Sequence, residues 1–295
     1  MIRRTLLPLL VLLAAAAPLR AEVIHEEASL YRNILVRQLG SERCLLFTVR
    51  RSDRNQSCID LDDPDRLVFP YARMMLAGLL VNPEPKRILM VGLGGGSLPR
   101  TFTALFPEAK QDIVEIDEAV VRVAEEYFLF EPTERMEVHV RDARVFVKRA
   151  LAAGETWDYV MLDAFTGDYI PEHLMTREFL EEVRGVLAPG GVLVANTFAS
   201  SQLYEHESAT YADVFPHVAE LRLPITLNRI LLATADGWPD EETLAARADA
   251  LVPPLRRFAV DPRTLARNVD PDFEFDRQAR VLTDQYAPVN LLRDD

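Results

Sequence analysis

Apolar and polar positions divide this chain into two regimes. Between about 22 and 66, short runs such as 31–38 and 43–49 alternate or are continuously apolar and are separated by Gly40-Ser41-Glu42, the pattern of strands joined by tight turns. They predict a small antiparallel β unit. Residues 68–80 then show helical apolar spacing that ends at Val81-Asn82-Pro83, where proline cannot continue a helix. From Lys86 onward strands expected at 87–91, 111–116, 136–140, 159–162 and 192–195 alternate with helices near 98–105, 118–128, 143–152 and 176–187. This alternation predicts an α/β fold with a doubly wound, Rossmann-like parallel sheet. Apolar runs at 217–223 and 229–234 offer a closing pair of strands, and the chain beyond Trp238 carries helical stretches without a separate core.

The amino-terminal segment stands outside this pattern. Met1-Ile2-Arg3-Arg4 is basic and 6–17 is apolar apart from Pro8, which reads as a secretory signal peptide over 1–21. The run is shorter than the roughly 20 apolar residues of a membrane span. Leu19-Arg20-Ala21 supplies a fair cleavage site, so an uncleaved anchor stays open, and no second segment reaches spanning length. The expected organisation is therefore a signal, a β unit with a bridging helix over 22–80, a doubly wound domain over 81–235, and a helical extension over 236–295 packed on that domain. In a bacterial cell the protein is expected to be exported to the periplasm, or membrane-anchored if the signal is retained. That compartment permits a disulfide. Cys44 and Cys58 flank the turn-like 51–55, but a turn centred near 53–54 would set Cys44 opposite a residue near Asp63. The residues leave open a bridge or two unpaired, half-buried thiols.

Composition narrows the function classes. Two Cys exclude a disulfide-built scaffold, and 49% hydrophobic residues require a fold resting on burial. The formal charge of −13 excludes a general nucleic-acid binder, which needs a basic surface, and agrees with a cationic ligand. Loss of Arg3, Arg4 and Arg20 with the signal makes the remainder more acidic still.

The chemistry gathers at strand ends. The run 87–91 leads into Gly92-Leu93-Gly94-Gly95-Gly96-Ser97, where glycine permits positive φ and close approach of a ligand to backbone. Ser97 stands where a dinucleotide fingerprint needs glycine, and no Gly-Lys-Ser/Thr follows, so nicotinamide and nucleoside-triphosphate chemistry recede. Glu115 ends the next strand, where a carboxylate can accept hydrogen bonds from both ribose hydroxyls; Asp142 ends the third and Asp163 the fourth. In an open α/β sheet these positions face one cleft. The five His show no paired metal spacing and read as isolated surface or core residues, and no Gly-x-Ser-x-Gly elbow is present.

The glycine run 92–96, Val114-Glu115-Ile116-Asp117, the Asp142 segment, Asp163 and the Leu187-Ala188-Pro189-Gly190-Gly191 turn resemble the class I S-adenosylmethionine-dependent transferase fold. Within it they resemble the spermidine synthase (polyamine aminopropyltransferase) family, over about 30–235. The tail Leu282-Thr283-Asp284-Gln285-Tyr286-Ala287-Pro288-Val289 is similar to one in spermidine-synthase-like proteins. The resemblance implies that Gly92, Gly94, Gly96, Glu115, Asp142 and Ala143 bind S-adenosylmethionine or its decarboxylated form, with Glu115 on the ribose and Asp142 and Ala143 on the adenine. It implies that Asp163 takes the proton of a reacting amine, that Gln56, Tyr71 and Asp168 bind the polyamine acceptor, and that the protein needs no metal and forms a homodimer.

Three departures stand against a simple transfer to putrescine. Gly95 replaces the family aspartate that selects the decarboxylated donor and is expected to leave room for a carboxylate-bearing one. Tyr71-Ala72-Arg73 replaces Tyr-His-Glu, which would put a cation beside the acceptor, and Thr166 replaces a second aspartate. Aminopropyl transfer is the leading expectation; the alternatives are an S-adenosylmethionine-dependent methyltransferase and an exported polyamine or nucleoside binder without turnover.

Overall fold

Strands β1 (Glu22–Ala28), β2 (Asn33–Leu39), β3 (Glu42–Val49) and β4 (Ser52–Asp60) form an antiparallel sheet in chain order. The computed structural model describes residues 20–49, 52–165, 170–199 and 202–288, so most of the signal-like segment and Asp168 lie outside the described residues. Strand periodicity puts Ile34, Val36, Leu45 and Phe47 on one face, where they bury against Val120, Val123 and Phe128 of helix α3 (Glu118–Tyr127) and its end. The opposite face buries Leu46, Cys44 and Cys58 with Val68 and Phe69 of the bridging segment.

The hairpin reverses earlier than its polar residues suggest. Val49 pairs with Ser52, so Asp53, Arg54 and Asn55 belong to β4. Leu46 pairs with Asn55 but Leu45 with Ser57, which leaves Gln56 as the extra residue of a β-bulge. That residue brings Cys58 opposite Cys44, and the two form a disulfide across a Cα separation of 4.1 Å.

The bridging segment is a single turn, α1 (Pro70–Met74), followed by a 3-10 stretch, Met75–Leu80, in place of one continuous helix. Every residue from Met74 to Leu80 is buried. The stretch passes so close to the sheet that a Cβ on Gly78 would lie 2.5 Å from the Tyr159 hydroxyl. That hydroxyl donates to the Met75 carbonyl at 2.6 Å.

The large sheet carries β5 (Arg87–Val91), β6 (Lys110–Glu115), β7 (Met136–Val140), β8 (Trp157–Leu162), β9 (Leu187–Phe198), β10 (His217–Arg222), β11 (Asn228–Thr234) and β12 (Val269–Asp270). Its order is β12-β10-β11-β9-β8-β5-β6-β7, parallel from β9 to β7 and antiparallel beyond β9. The doubly wound sheet and its closing antiparallel pair match the expectation. One face is covered by the bridging segment, α7 (Glu241–Leu255) and α8 (Pro262–Asn268); the other by α4 (Ala143–Ala153), α5 (Arg177–Gly185) and α6 (Tyr204–Val214). Helix α2 (Ser97–Leu105) opens at the glycine run. Helix α6 escaped the apolar pattern because its buried positions include Glu207, Ser208 and Thr210. Glu207 and Ser208 serve the fully buried Arg229, which meets them at 3.0 and 2.8 Å. Among the described residues no helix is long and apolar enough to cross a membrane.

The bridge closes a loop of sequence separation 14, so replacing both cysteines by alanine is expected to cost about 3 kcal/mol of stability. Urea unfolding compares the variant with the oxidised protein; equal midpoints would remove the stabilising role.

Candidate active site

The order of the parallel strands reverses at β5, whose neighbours are β6 on one side and β8 on the other. The chain leaves these adjacent carboxyl ends in diverging directions, and a cleft opens between them. Gly92 donates to the Val114 carbonyl and Asp163 to the Val91 carbonyl, both at 2.8 Å, which extends the ladder to the floor of the cleft. Gly92 has φ +99°, and a Cβ there would lie 2.4 Å from the Asp163 carbonyl oxygen, so only glycine fits. The cleft has a volume of about 450 Å³, within the range of small-molecule sites. Its lining includes Gln56, Tyr71, Gly92, Gly94, Glu115, Asp142, Ala143 and Asp163. Gly96 lies one turn further on, as the left-handed residue that opens α2 (φ +72°).

Glu115 is buried, and each carboxylate oxygen accepts a backbone N–H: Oε2 from Leu93 at 3.1 Å and Oε1 from Asp117 at 3.0 Å. Burial raises its pKa, and the two N–H donors oppose the rise. The side chain therefore ties the glycine loop to the following turn while facing the cleft. Asp142 uses Oδ1 to cap α4, accepting from the Val145 N–H at 2.9 Å, and Oδ2 lies 2.9 Å from His173 Nε2.

Asp163 meets a small solvent surface inside the cleft, and the protein around it pushes its pKa up to about 7 by desolvation. Two donors favour the ionised form. Asn196 Nδ2 donates to Asp163 at 2.8 Å, and the Tyr71 hydroxyl sits between this carboxylate and the Gln56 carbonyl, 3.4 Å away. Asn196 is itself oriented by Asn228 Nδ2 at 2.9 Å, and Asn228 accepts from Thr226 Oγ1 at 2.8 Å. Such a carboxyl can hold or accept a proton near neutral pH.

Arg73 faces away from the acceptor region. Its guanidinium donates to the Leu67 and Val68 carbonyls at 2.7 and 2.9 Å, because these backbone acceptors precede the one-turn helix and lack other partners within it. The expected cation beside the acceptor is therefore turned into the protein. Gly95 leaves no empty space either: a Cβ there would meet Ser57 Oγ at 2.8 Å and the Phe128 ring at 3.0 Å. Among the described residues, the cations lining the cleft are Arg32 and Arg141. Arg32 stacks over Phe47 at 4.2 Å and donates to the Phe165 carbonyl at 3.1 Å.

Sequence reading missed Asn196, Asn228, Arg32 and His173. Asn196 lies at the carboxyl end of β9, so the strand-end rule applied to the four preceding strands would have reached it one strand later. His173, expected to be isolated, instead pairs with Asp142; the two are far apart in the chain and only the fold joins them.

A glycine-rich first turn, a buried acid after the second strand and a carboxyl at the switch point define a class I S-adenosylmethionine-dependent transferase, and relatives agree. The spermine/spermidine synthase domain model matches residues 68–223. A polyamine aminopropyltransferase of Vibrio vulnificus is 48% identical over 276 residues, 93% of this chain and 92% of that protein. This chain belongs to the spermine/spermidine synthase family. The human eEF1A lysine and N-terminal methyltransferase is 33% identical over 186 residues, 57% of this chain and 27% of that one. Among solved structures, a probable spermidine synthase from Corynebacterium glutamicum superposes with a TM-score of 0.65 at 23% identity, covering 88% of this chain and 99% of that one. Human methyltransferase-like protein 13, in complex with SAH, reaches 0.58 at 28% identity, covering 64% and 93%.

The raised Asp163 pKa has a sign that stability can test. An unfolded aspartate ionises near pH 3.9, whereas this one keeps its proton to about 7, so its contribution to stability declines as pH rises between those values. Asp163→Asn is expected to raise Tm by a few degrees at pH 8 and by less at pH 4. Asn196→Ala, which removes a donor to the carboxylate, is expected to move the carboxyl titration above about 7 when followed by infrared spectroscopy. A midpoint that falls would remove Asn196 from this role.

Proposed function

We propose that this protein transfers an aminopropyl group from decarboxylated S-adenosylmethionine to an amine acceptor. The observation that carries the reading is the Asp163 carboxyl at the switch point, held by Asn196 at 2.8 Å in one cleft with the glycine loop and buried Glu115, where burial pushes its pKa up. Gly92, Gly94 and Gly96 shape the backbone that meets the donor, Glu115 accepts from its ribose, and Asp142 and Ala143 receive its adenine. Tyr71, Gln56 and Asp168 hold the acceptor, a polyamine. A homodimer belongs to the same reading and is measured by light scattering.

The chemistry is a displacement at carbon. The amine nitrogen attacks the aminopropyl carbon bonded to the sulfonium, the carbon–nitrogen bond forms as the carbon–sulfur bond breaks, and methylthioadenosine leaves. The nitrogen gives up a proton, which the ionised Asp163 accepts, and the same carboxylate stabilises the positive charge on the nitrogen as it attacks. Asn196 and Tyr71 hold that carboxylate along the line of attack.

A second reading, methyl transfer from S-adenosylmethionine, is favoured by Gly95, which supplies no carboxylate for the donor's amino group. Ser57 and Phe128 close the space at that position, so room for an extra carboxylate has to be sought elsewhere in the cleft. The third, exported binding without turnover, draws on the signal-like segment. Export itself is supported by that segment and by the Cys44–Cys58 disulfide, a bond typical of oxidising compartments. Because adenosyl donors are made in the cytoplasm, an exported enzyme requires donor outside the cell membrane or a retained anchor.

Product analysis separates the three: methylthioadenosine supports aminopropyl transfer, S-adenosylhomocysteine supports methyl transfer, and adenosyl binding without either supports the binder. With the favoured donor, kcat/KM is expected to rise about tenfold per pH unit below about 7 and to level above it. Asp163→Asn is expected to lower kcat by at least about a hundredfold with a modest loss of donor binding. Unchanged turnover would end the proton-accepting role. A fusion of residues 1–21 to a phosphatase active only outside the cytoplasm tests export; an inactive fusion would argue for a cytoplasmic protein.

A further inference from the structure

The carboxyl-terminal motif has no part in the chemistry above, yet it packs against the turn that brings His173 and Leu174 to the cleft. Leu282 is fully buried with Met175 and Leu203. Its carbonyl accepts from the Arg177 N–H at 2.8 Å and its N–H donates to Thr210 Oγ1 at 2.9 Å. Two residues on, the Asp284 carboxylate accepts two hydrogen bonds from Arg144, at 2.6 and 2.8 Å, and one from Thr176 Oγ1 at 2.8 Å. This is a paired-fork contact of the kind that fixes geometry as well as charge. Arg144, only 11% exposed, also holds Glu182 at 3.0 Å, and its Nη1 reaches the His173 carbonyl at 3.4 Å. The His173 ring completes the line, with Nε2 2.9 Å from Asp142 Oδ2.

These contacts hold the turn at 173–176 that presents His173. Near Asp163, Arg32 grips the Phe165 carbonyl; near Thr176, Asp284 and Arg144 grip the turn that presents His173. Asp142 Oδ1 caps α4 and Oδ2 faces His173, and each oxygen keeps a lone pair for a further donor such as an adenine amino group. A His173 N–H on Oδ2 fixes the rotation of the carboxylate and with it the directions of its remaining lone pairs.

We propose that Asp284 and Arg144 are positioning residues that set His173 against Asp142, so that the carboxyl-terminal tail controls the affinity of the cleft for the adenosyl donor. The inference rests on the reading that Asp142 receives the adenine.

Calorimetric titration of the full-length protein with methylthioadenosine tests it, with Asp284→Asn, His173→Ala, the double variant and Arg144→Lys beside the wild type. Each single change is expected to raise Kd about five- to tenfold, the size of a lost hydrogen bond to a charged group. The double variant is expected to match the weaker single one, because both changes cut the same line. Arg144→Lys keeps the charge and loses the fork, and is expected to weaken binding as well. Acceptor KM in steady-state assays is expected to stay within twofold, a split that a general loss of fold would not produce. A lower Tm with unchanged Kd, effects that multiply in the double variant, or tighter binding by His173→Ala would each overturn the proposal. Should Asp284→Asn fail to fold, His173→Ala against Arg144→Lys supplies the same cycle. Wild-type protein that binds no methylthioadenosine would remove the donor reading and the inference together; wild-type binding with unaltered variants would remove the inference alone.

Discussion

Asp163 sits where desolvation opposes its charge, and the rest of the cleft is arranged around that opposition. Burial alone would hold this carboxyl protonated further above neutral pH. Asn196 and Tyr71 bring the ionised form back within reach of neutral pH, and the amides of Asn196 and Asn228 with the Thr226 hydroxyl fix where the carboxylate points. The antiparallel strand β11 thereby acts on chemistry at β8, although β9 lies between them. The closing strands of the sheet are part of the site's electrostatics.

The amino-terminal sheet contributes a wall. One bulged residue, Gln56, shifts the register of β4, turns the Gln56-Ser57-Cys58 segment toward the cleft and sets Cys58 opposite Cys44. Residues such as Asn55 and Gln56 that line the cleft need no apolar alternation, and the polar run 51–55 therefore read as a turn. The same economy explains α6, whose buried polar positions hold Arg229 beneath the sheet's antiparallel edge.

Two of the departures from the family pattern acquire different meanings in three dimensions. Arg73 spends its guanidinium on two backbone carbonyls, so its charge does not confront an acceptor. Gly95 removes a carboxylate, and Ser57 and Phe128 occupy the direction its side chain would have taken. Among the described residues, Arg32 and Arg141 bring positive charge to the cleft lining.

Local chain chemistry determined the strands β5 to β8, the helices after them, the glycine run and the acids Glu115, Asp142 and Asp163, because each is written within a few residues: an apolar run, a turn that tolerates only glycine, a carboxylate at a strand end. Their meeting in one cleft followed from the rule that parallel strands align their carboxyl ends. Tertiary structure alone decided the Cys44–Cys58 bond, the direction of Arg73, the recruitment of Asn196 and Asn228, and the line from Asp284 through Arg144 and His173 to Asp142. The bond depends on strand register and the Arg73 contacts on how the bridging segment turns, while the polar networks join residues 29 to 140 positions apart, and no local pattern encodes which distant partner a polar side chain will find.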